Sequence, residues 1–318
     1  MSSSGYSLPN DFYQSLSSKY DSAVKGEHVL FNGDSAVNEI EKATVGDTTV
    51  DVQLTLLKSL MHRPESGNKD ENPFAKPEPE LTVVDSYGAD EEFKIVFNKF
   101  PVVPKHFMLL TKEFKSQDTP LSPNELFATY NILAALDKQK SESNEEWFAF
   151  YNCGPESGAS QPHKHIQFMT LPPRSEFKPY AETLDKILDP RGVQVPAQNK
   201  DLPFAHFAVQ IPDTVEDESV LAELYVNILQ RTLTELREND QTHISYNFIM
   251  TRKYMLMVPR SKGKYDEKMG INSCGFQGLL LCKNDELFEM VKSVGPLQIL
   301  GEVGLPNTAG KKSTEYDY

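Results

Sequence analysis

The chain has 318 residues, 46 of them acidic and 32 basic, for a formal net charge of −14. That length can bury a large core or two units of roughly 150 residues each, and the acidic balance argues against a nucleic-acid partner, whose phosphates must be met by basic residues. No apolar run approaches a membrane span, Met1-Ser2-Ser3-Ser4-Gly5 lacks the features of a secretory signal, and three cysteines without framework spacing suit reduced thiols, so the expected location is the cytoplasm, with the nucleus as a second compartment.

In chain order, Phe12, Leu16 and Tyr20 fall at helical spacing within residues 8–24, with Asn10 or Asp11 placed to cap. Residues 26–48 mix turn formers with short apolar patches and have no assignable element. Thr48 to Leu54 alternates and predicts a strand. A loop rich in Glu, Asn, Asp and Pro covers 64–79. Strands are predicted at Leu81–Val84, Phe93–Phe97 and Phe107–Thr111, with Pro101 and Pro104 forcing the corner between the last two. Asn98 and Lys99 stand at that corner, where an amide and an ammonium can meet a ribose or a phosphate, or serve only the turn. Ser122-Pro123-Asn124-Glu125 is a helix start with a serine cap, a first-turn proline and the glutamate of a capping box.

The aromatic run Trp147-Phe148-Ala149-Phe150-Tyr151 reads as a buried strand. It leads through Asn152 into a loop with Gly154, Pro155, Gly158, Ala159, Ser160 and Gln161, whose backbone amides can approach an anion because the glycines carry no Cβ. The chain then extends again from His163 to Met169, and a period of two puts His163, His165 and Gln167 on one face. An imidazole beside a phosphate-binding loop can attack phosphorus, a reaction that depends on positioning and charge stabilisation. His165, with a polar neighbour on each side, is the natural nucleophile. Surface histidines and a metal site are the competing readings. Zinc takes three or four protein ligands, whereas His28, His62, His106, His206 and His243 are scattered singly and no Cys-x-x-Cys occurs.

Residues 174–203, with four prolines, suit an extended connector. A second cycle follows: a strand at Phe204–Val209, an amphipathic helix over 219–238, a hairpin of Tyr246–Met250 and Tyr254–Val258 about Thr251-Arg252-Lys253, and Gln277–Cys282 closing the sheet. Arg252 and Lys253 at the hairpin tip are candidates for phosphate contact or plain exposed charges. The loop Asn272-Ser273-Cys274-Gly275-Phe276 offers an amide, a hydroxyl and N–H groups to phosphate or ribose oxygens. The expected class is α+β, two packed units with antiparallel sheets and flanking helices: a catalytic unit over 1–173, the connector over 174–203 and a second unit over 204–318.

The run Tyr151-Asn152-Cys153-Gly154-Pro155 through Ser160-Gln161-Pro162-His163-Lys164-His165-Ile166-Gln167 resembles the active-site segment of fungal diadenosine tetraphosphate phosphorylases. These belong with galactose-1-phosphate uridylyltransferase to the transferase branch of the histidine triad superfamily, where His-x-His-x-Gln stands in place of a third histidine. Asn72-Pro73-Phe74-Ala75, Asn98 to Pro104, Val258-Pro259-Arg260-Ser261, Ile271-Asn272-Ser273 and Pro306 to Gly310 with Thr314-Glu315-Tyr316 are similar to the family in the same order. The resemblance implies two histidine-triad-like units and an enzyme that phosphorolyses diadenosine tetraphosphate to ADP and ATP. It implies His165 as the adenylylated nucleophile, His163 as its orienting partner and Gln167 as a hydrogen-bond donor to the intermediate. It also places Asn152, Gly158, Ala159, Ser160, Gln161, Asn98, Lys99, Arg63, Asn272, Ser273 and Gly275 around the substrate, and implies a side activity on adenylyl sulfate. The expected partners are diadenosine tetraphosphate, ATP, ADP, inorganic phosphate and adenylyl sulfate. No cofactor is required by the sequence, with magnesium able to accompany the polyphosphate. A hydrolase or transferase acting on another nucleotide, and a non-catalytic nucleotide-binding protein, are the alternatives.

Overall fold

The computed structural model describes residues 3–31, 33–58, 72–138 and 144–311. Arg63, one of the expected substrate contacts, lies outside them. After α1 (Phe12–Lys25) come β1 (Val37–Val45), β2 (Thr48–Leu56), β3 (Thr82–Tyr87), β4 (Phe93–Phe97), β5 (Phe107–Thr111), α2 (Pro123–Lys138), β6 (Trp147–Cys153) and β7 (His165–Thr170). The second half continues with the two-residue strands β8 (Ile187–Leu188) and β9 (Gln194–Val195), then β10 (Phe207–Gln210), α3 (Glu218–Glu238), β11 (Tyr246–Met250) and β12 (Tyr254–Pro259). It ends with β13 (Lys264–Tyr265), β14 (Met269–Gly270), α4 (Ser273–Phe276), β15 (Leu279–Cys282), α5 (Asp285–Val294) and α6 (Pro296–Val303).

One antiparallel sheet of eight strands, in the order β10-β12-β11-β6-β7-β5-β4-β3, runs through both halves. The path β5-α2-β6-β7 is repeated as β10-α3-β11-β12, and the two copies meet where β6 pairs antiparallel with β11, Tyr151 opposite Phe248. The expected α+β class with antiparallel sheets and flanking helices is what forms. Both faces of the sheet are covered. Leu16, Leu126 and Leu221 of the three long helices pack on one face with Ala149 and Tyr151, while Phe148 and Phe150 point the other way against Val52, Leu280 and Ile299. All seven residues of β6 are therefore buried, which is why that strand reads as an unbroken apolar run.

The predicted capping box is present. Glu125 N donates to Ser122 Oγ at 3.3 Å and Ser122 N donates to Glu125 Oε2 at 2.8 Å. Asp11 occupies the cap position of α1 but its side chain caps nothing. Three elements differ from expectation. A nine-residue strand, β1, forms within the unassigned stretch; it has no buried residue, so no apolar pattern could mark it. β15 does not join the hairpin: it pairs parallel with β2 in a separate three-stranded sheet, Leu280 opposite Leu54, because its apolar face is needed over the lower side of the large sheet. The stretch 174–203, expected to be an extended connector, instead carries a 3₁₀ turn at Tyr180–Thr183 and the small antiparallel pair β8-β9, and it buries Phe177, Tyr180, Ala181 and Leu202. No helix among the described residues is long and apolar enough to cross a membrane.

Candidate active site

β6 ends at Cys153, and the chain turns through Gly154 with φ +85°. A Cβ there would stand 2.1 Å from Ile244 O, so only glycine fits. A 3₁₀ turn, Pro155–Ser157, follows, closed by Ser157 Oγ donating to Gly154 O at 2.6 Å. The second half of the chain holds this turn. Ser245 Oγ accepts from Glu156 N at 3.1 Å, Glu156 Oε2 accepts from Gly263 N at 2.7 Å, and Ser157 O accepts from Asn247 Nδ2 at 2.9 Å. Gly158, at φ +79°, begins the accessible part. Among the described residues nothing hydrogen-bonds Gly158, Ala159, Ser160 or Gln161, which are exposed or half-buried.

Gln117 clamps both ends of this loop. Its Nε2 donates to Asn152 O at 2.8 Å, its Oε1 accepts from His165 N at 2.8 Å and its own N donates to Pro162 O at 2.9 Å. The histidines are thereby fixed to the loop. His163, bridged to Ser116 ahead of β7, has both ring nitrogens engaged: Nε2 donates to Thr111 O at 2.8 Å and Nδ1 accepts from Asn72 Nδ2 at 3.0 Å. Burial holds its pKa below the usual imidazole value, so the ring is neutral. His165 Nδ1 donates to the backbone carbonyl of His163 at 2.8 Å, which fixes the tautomer that carries its lone pair on Nε2. Phe74 packs on this ring with centroids 5.0 Å apart.

Gln167, two positions further along the same face and roughly 7 Å away, lines a cavity of about 380 Å³ between the two sheets. Asn98, His106, Phe150, Asn272 and Gly275 line it too. Asn98 Oδ1 accepts from Phe100 N at 2.9 Å, forming the turn. Asn272 caps α4 through Cys274 N at 3.0 Å.

The remaining candidates sit elsewhere or are already committed. Asn152 is 2 % exposed, its Oδ1 accepting from Asn247 Nδ2 at 2.9 Å and from Ser273 N and Oγ at 3.0 and 2.7 Å, so it and Ser273 form a joint between the halves. Lys99 pairs with Glu78 at 2.6 Å. The hairpin tip lies beside the start of β6, as Met250 opposite Ala149 requires, roughly 15 Å along the sheet from the loop. Arg252 stacks on Tyr130 at 4.2 Å there and Lys253 approaches Glu182 at 3.4 Å. Cys153 is buried, which pushes its thiol up to about 11. Among the described residues one group of possible metal ligands, His28, Glu78 and Glu80, forms; it includes neither His163 nor His165, and the Lys99 ammonium already neutralises Glu78.

Sequence reasoning missed Gln117, Asn247 and Arg260. None sits in a periodic or motif-bearing stretch that names its role; Arg260 appears only within a similar segment. Yet Arg260, wholly buried, donates to Ile271 O at 2.8 Å, Asn247 Oδ1 at 2.5 Å and Ser157 O at 3.4 Å, bracing the loop from below.

Both halves of the chain are similar to known proteins. Residues 28–186 match the model of the Ap4A phosphorylase N-terminal domain and residues 200–306 that of the ATP adenylyltransferase C-terminal domain. Two proteins of Saccharomyces cerevisiae, Protein APA1 and diadenosine 5',5'''-P1,P4-tetraphosphate phosphorylase 2, are each 38 % identical, over 98 % of this chain and 100 % of their own. The crystal structure of yeast Ap4A phosphorylase Apa2 in complex with AMP superposes with a TM-score of 0.82 at 34 % identity, covering 96 % of this chain and 100 % of that one. The same protein in complex with Ap4A gives 0.81 at 35 %, covering 95 % and 100 %.

Proposed function

This chain belongs to the Ap4A phosphorylase family, and on that premise we propose that it splits diadenosine tetraphosphate with inorganic phosphate into ADP and ATP through an adenylylated His165. One observation carries the choice of nucleophile: the 2.8 Å bond from His165 Nδ1 to His163 O, which leaves the attacking lone pair on Nε2. His163, with both nitrogens engaged, serves instead through its carbonyl. Attack by Nε2 on the α-phosphorus forms a P–N bond as the P–O bond to ATP breaks. An oxygen of inorganic phosphate then attacks the same phosphorus, the P–N bond breaks and ADP leaves. Two in-line displacements retain configuration at phosphorus and give ping-pong kinetics.

The exposed amides of Gly158 to Gln161 meet the equatorial oxygens, and the Gln167 amide donates to the adenylylated imidazole's phosphoryl group. An amide in the third triad position cannot act as an acid or a base, which disfavours activation of water. Adenylyl sulfate enters by the same first step with sulfate as the leaving group, and phosphate again releases ADP. Complexes of the yeast relative with AMP and with Ap4A support nucleotides as the substrate class.

The test is incubation with labelled dinucleotide in the absence of phosphate. An acid-labile radioactive adduct is expected, absent in His165→Ala and discharged as ADP when phosphate is added. An adduct on His165→Ala overturns the assignment, and AMP formed without phosphate indicates a hydrolase.

A further inference from the structure

His106 lies one residue before β5, is 4 % exposed and faces the cavity beside Gln167. Its Nε2 is 3.1 Å from Gln167 Oε1. A carboxamide oxygen can only accept, so His106 donates and carries its proton on Nε2. The residue is itself held: Asn98 N donates to the backbone carbonyl of His106 at 2.9 Å, and the Phe150 ring lies 6.3 Å from the imidazole centroid.

The consequence is at the other end of the amide. With Oε1 turned to His106, the Gln167 NH₂ group faces the cavity, and among the described residues nothing hydrogen-bonds it. A primary amide rotated by half a turn presents an oxygen lone pair in place of two donors, and a lone pair repels a phosphoryl oxygen. We propose that His106 is a positioning residue for phosphoryl transfer, acting through Gln167 by locking its amide with the donors toward the reacting phosphorus. This rests on the reading of the site given above, in which Gln167 meets the phosphoryl group.

The test is a double-mutant cycle on phosphate-dependent cleavage of the dinucleotide, comparing wild type, Gln167→Ala, His106→Phe and the double variant. His106→Phe keeps a ring and removes the donor. The expected result is a roughly tenfold loss of kcat with KM changed by less than about twofold, and no further loss when His106→Phe is added to Gln167→Ala. His106→Gln, which restores a donor near the Nε2 position, recovers most of the loss. Losses that multiply in the double variant, or wild-type kcat in His106→Phe, overturn the proposal. Should His106→Phe fail to fold, His106→Asn, whose shorter amide cannot reach Gln167, takes its place in the same cycle with the same two outcomes. Wild type that does not cleave the dinucleotide with phosphate overturns the functional reading itself, whereas an active wild type with multiplying losses rejects the role of His106 alone.

Discussion

Lys164 Nζ stands 2.8 Å from Glu125 Oε2, with 5 % and 2 % of the two side chains exposed. The residue between the two histidines is thus tied to the first turn of α2, and its ammonium also donates to Pro120 O at 2.8 Å. The pairing joins the segment that carries both histidines to a helix whose own start depends on the same carboxylate.

Removing one partner of a buried pair leaves an uncompensated charge, which costs about 3–5 kcal/mol. Glu125→Leu is expected to lower stability by that amount in denaturant titration and to reduce turnover by displacing His163 and His165. Lys164→Met combined with Glu125→Leu should lose less than Glu125→Leu alone. A double variant that is the less stable of the two would show that the pair itself, and not the unpaired charge, dominates.

Arg260 is buried with carbonyl and amide oxygens as partners, Val303 O at 3.1 Å and Lys262 O at 2.5 Å among them. Burial pushes its pKa down to about 9. Arg260→Met deprives these oxygens of donors and is expected to cost about 3 kcal/mol or more. Arg260→Lys should recover only part, since one ammonium cannot span acceptors arranged around a planar fork. Equal urea midpoints for Arg260→Lys and wild type would contradict this.

His206 donates from Nδ1 to Phe204 O at 2.9 Å and accepts at Nε2 from Asn199 N at 2.8 Å, and burial holds its pKa down to about 4. The unfolded chain takes up the proton near the ordinary value of 6.5, the folded chain only near 4. The stability contributed by the neutral ring is therefore complete above pH 6.5 and is lost as pH falls toward 4, by up to about 3 kcal/mol. Denaturation midpoints measured across this window should fall less steeply for His206→Phe than for wild type, although the variant is weaker throughout.

At Gly158 a Cβ would come within 2.6 Å of Ile271 O, in a backbone conformation of φ +79°. Gly158→Ala is expected to cost about 1–3 kcal/mol of strain, relieved by moving the loop away from Asn272. Phosphorolysis should fall well beyond what the stability loss explains, while His165 remains intact for slow adenylylation. Unchanged kcat/KM would mean that this loop does not contact the substrate.

Much of the architecture was legible where local pattern and final environment coincide. β6 is apolar because it is covered on both faces, α2 begins at a capping box that forms, and the alternation along β7 sets His165 and Gln167 on one face, of which Gln167 lines the cavity. What escaped depends on partners far away in the chain. β1 is stabilised by pairing rather than burial, β15 chooses β2 across more than two hundred residues, and Gln117 looks like any turn glutamine until Asn152 and His165 arrive at its two ends. Asn152 is instructive in the other direction. An asparagine at a strand end beside a glycine loop reads as a ligand contact, but its side-chain oxygen is spent on Asn247 and Ser273.

The junction of β6 with β11 has a consequence for how such a chain assembles. A fragment ending near residue 200 would carry every residue of the His-x-His-x-Gln segment, yet it would present the rim of β6 as a row of unsatisfied amides and carbonyls. It would also lack the asparagine and arginine that hold the glycine turn from the far side. The nascent first half therefore waits for Tyr246–Met250 before His165 has a finished cradle, and this fragment mixed with the complementary one, residues 201–318, is better placed to restore activity than either alone.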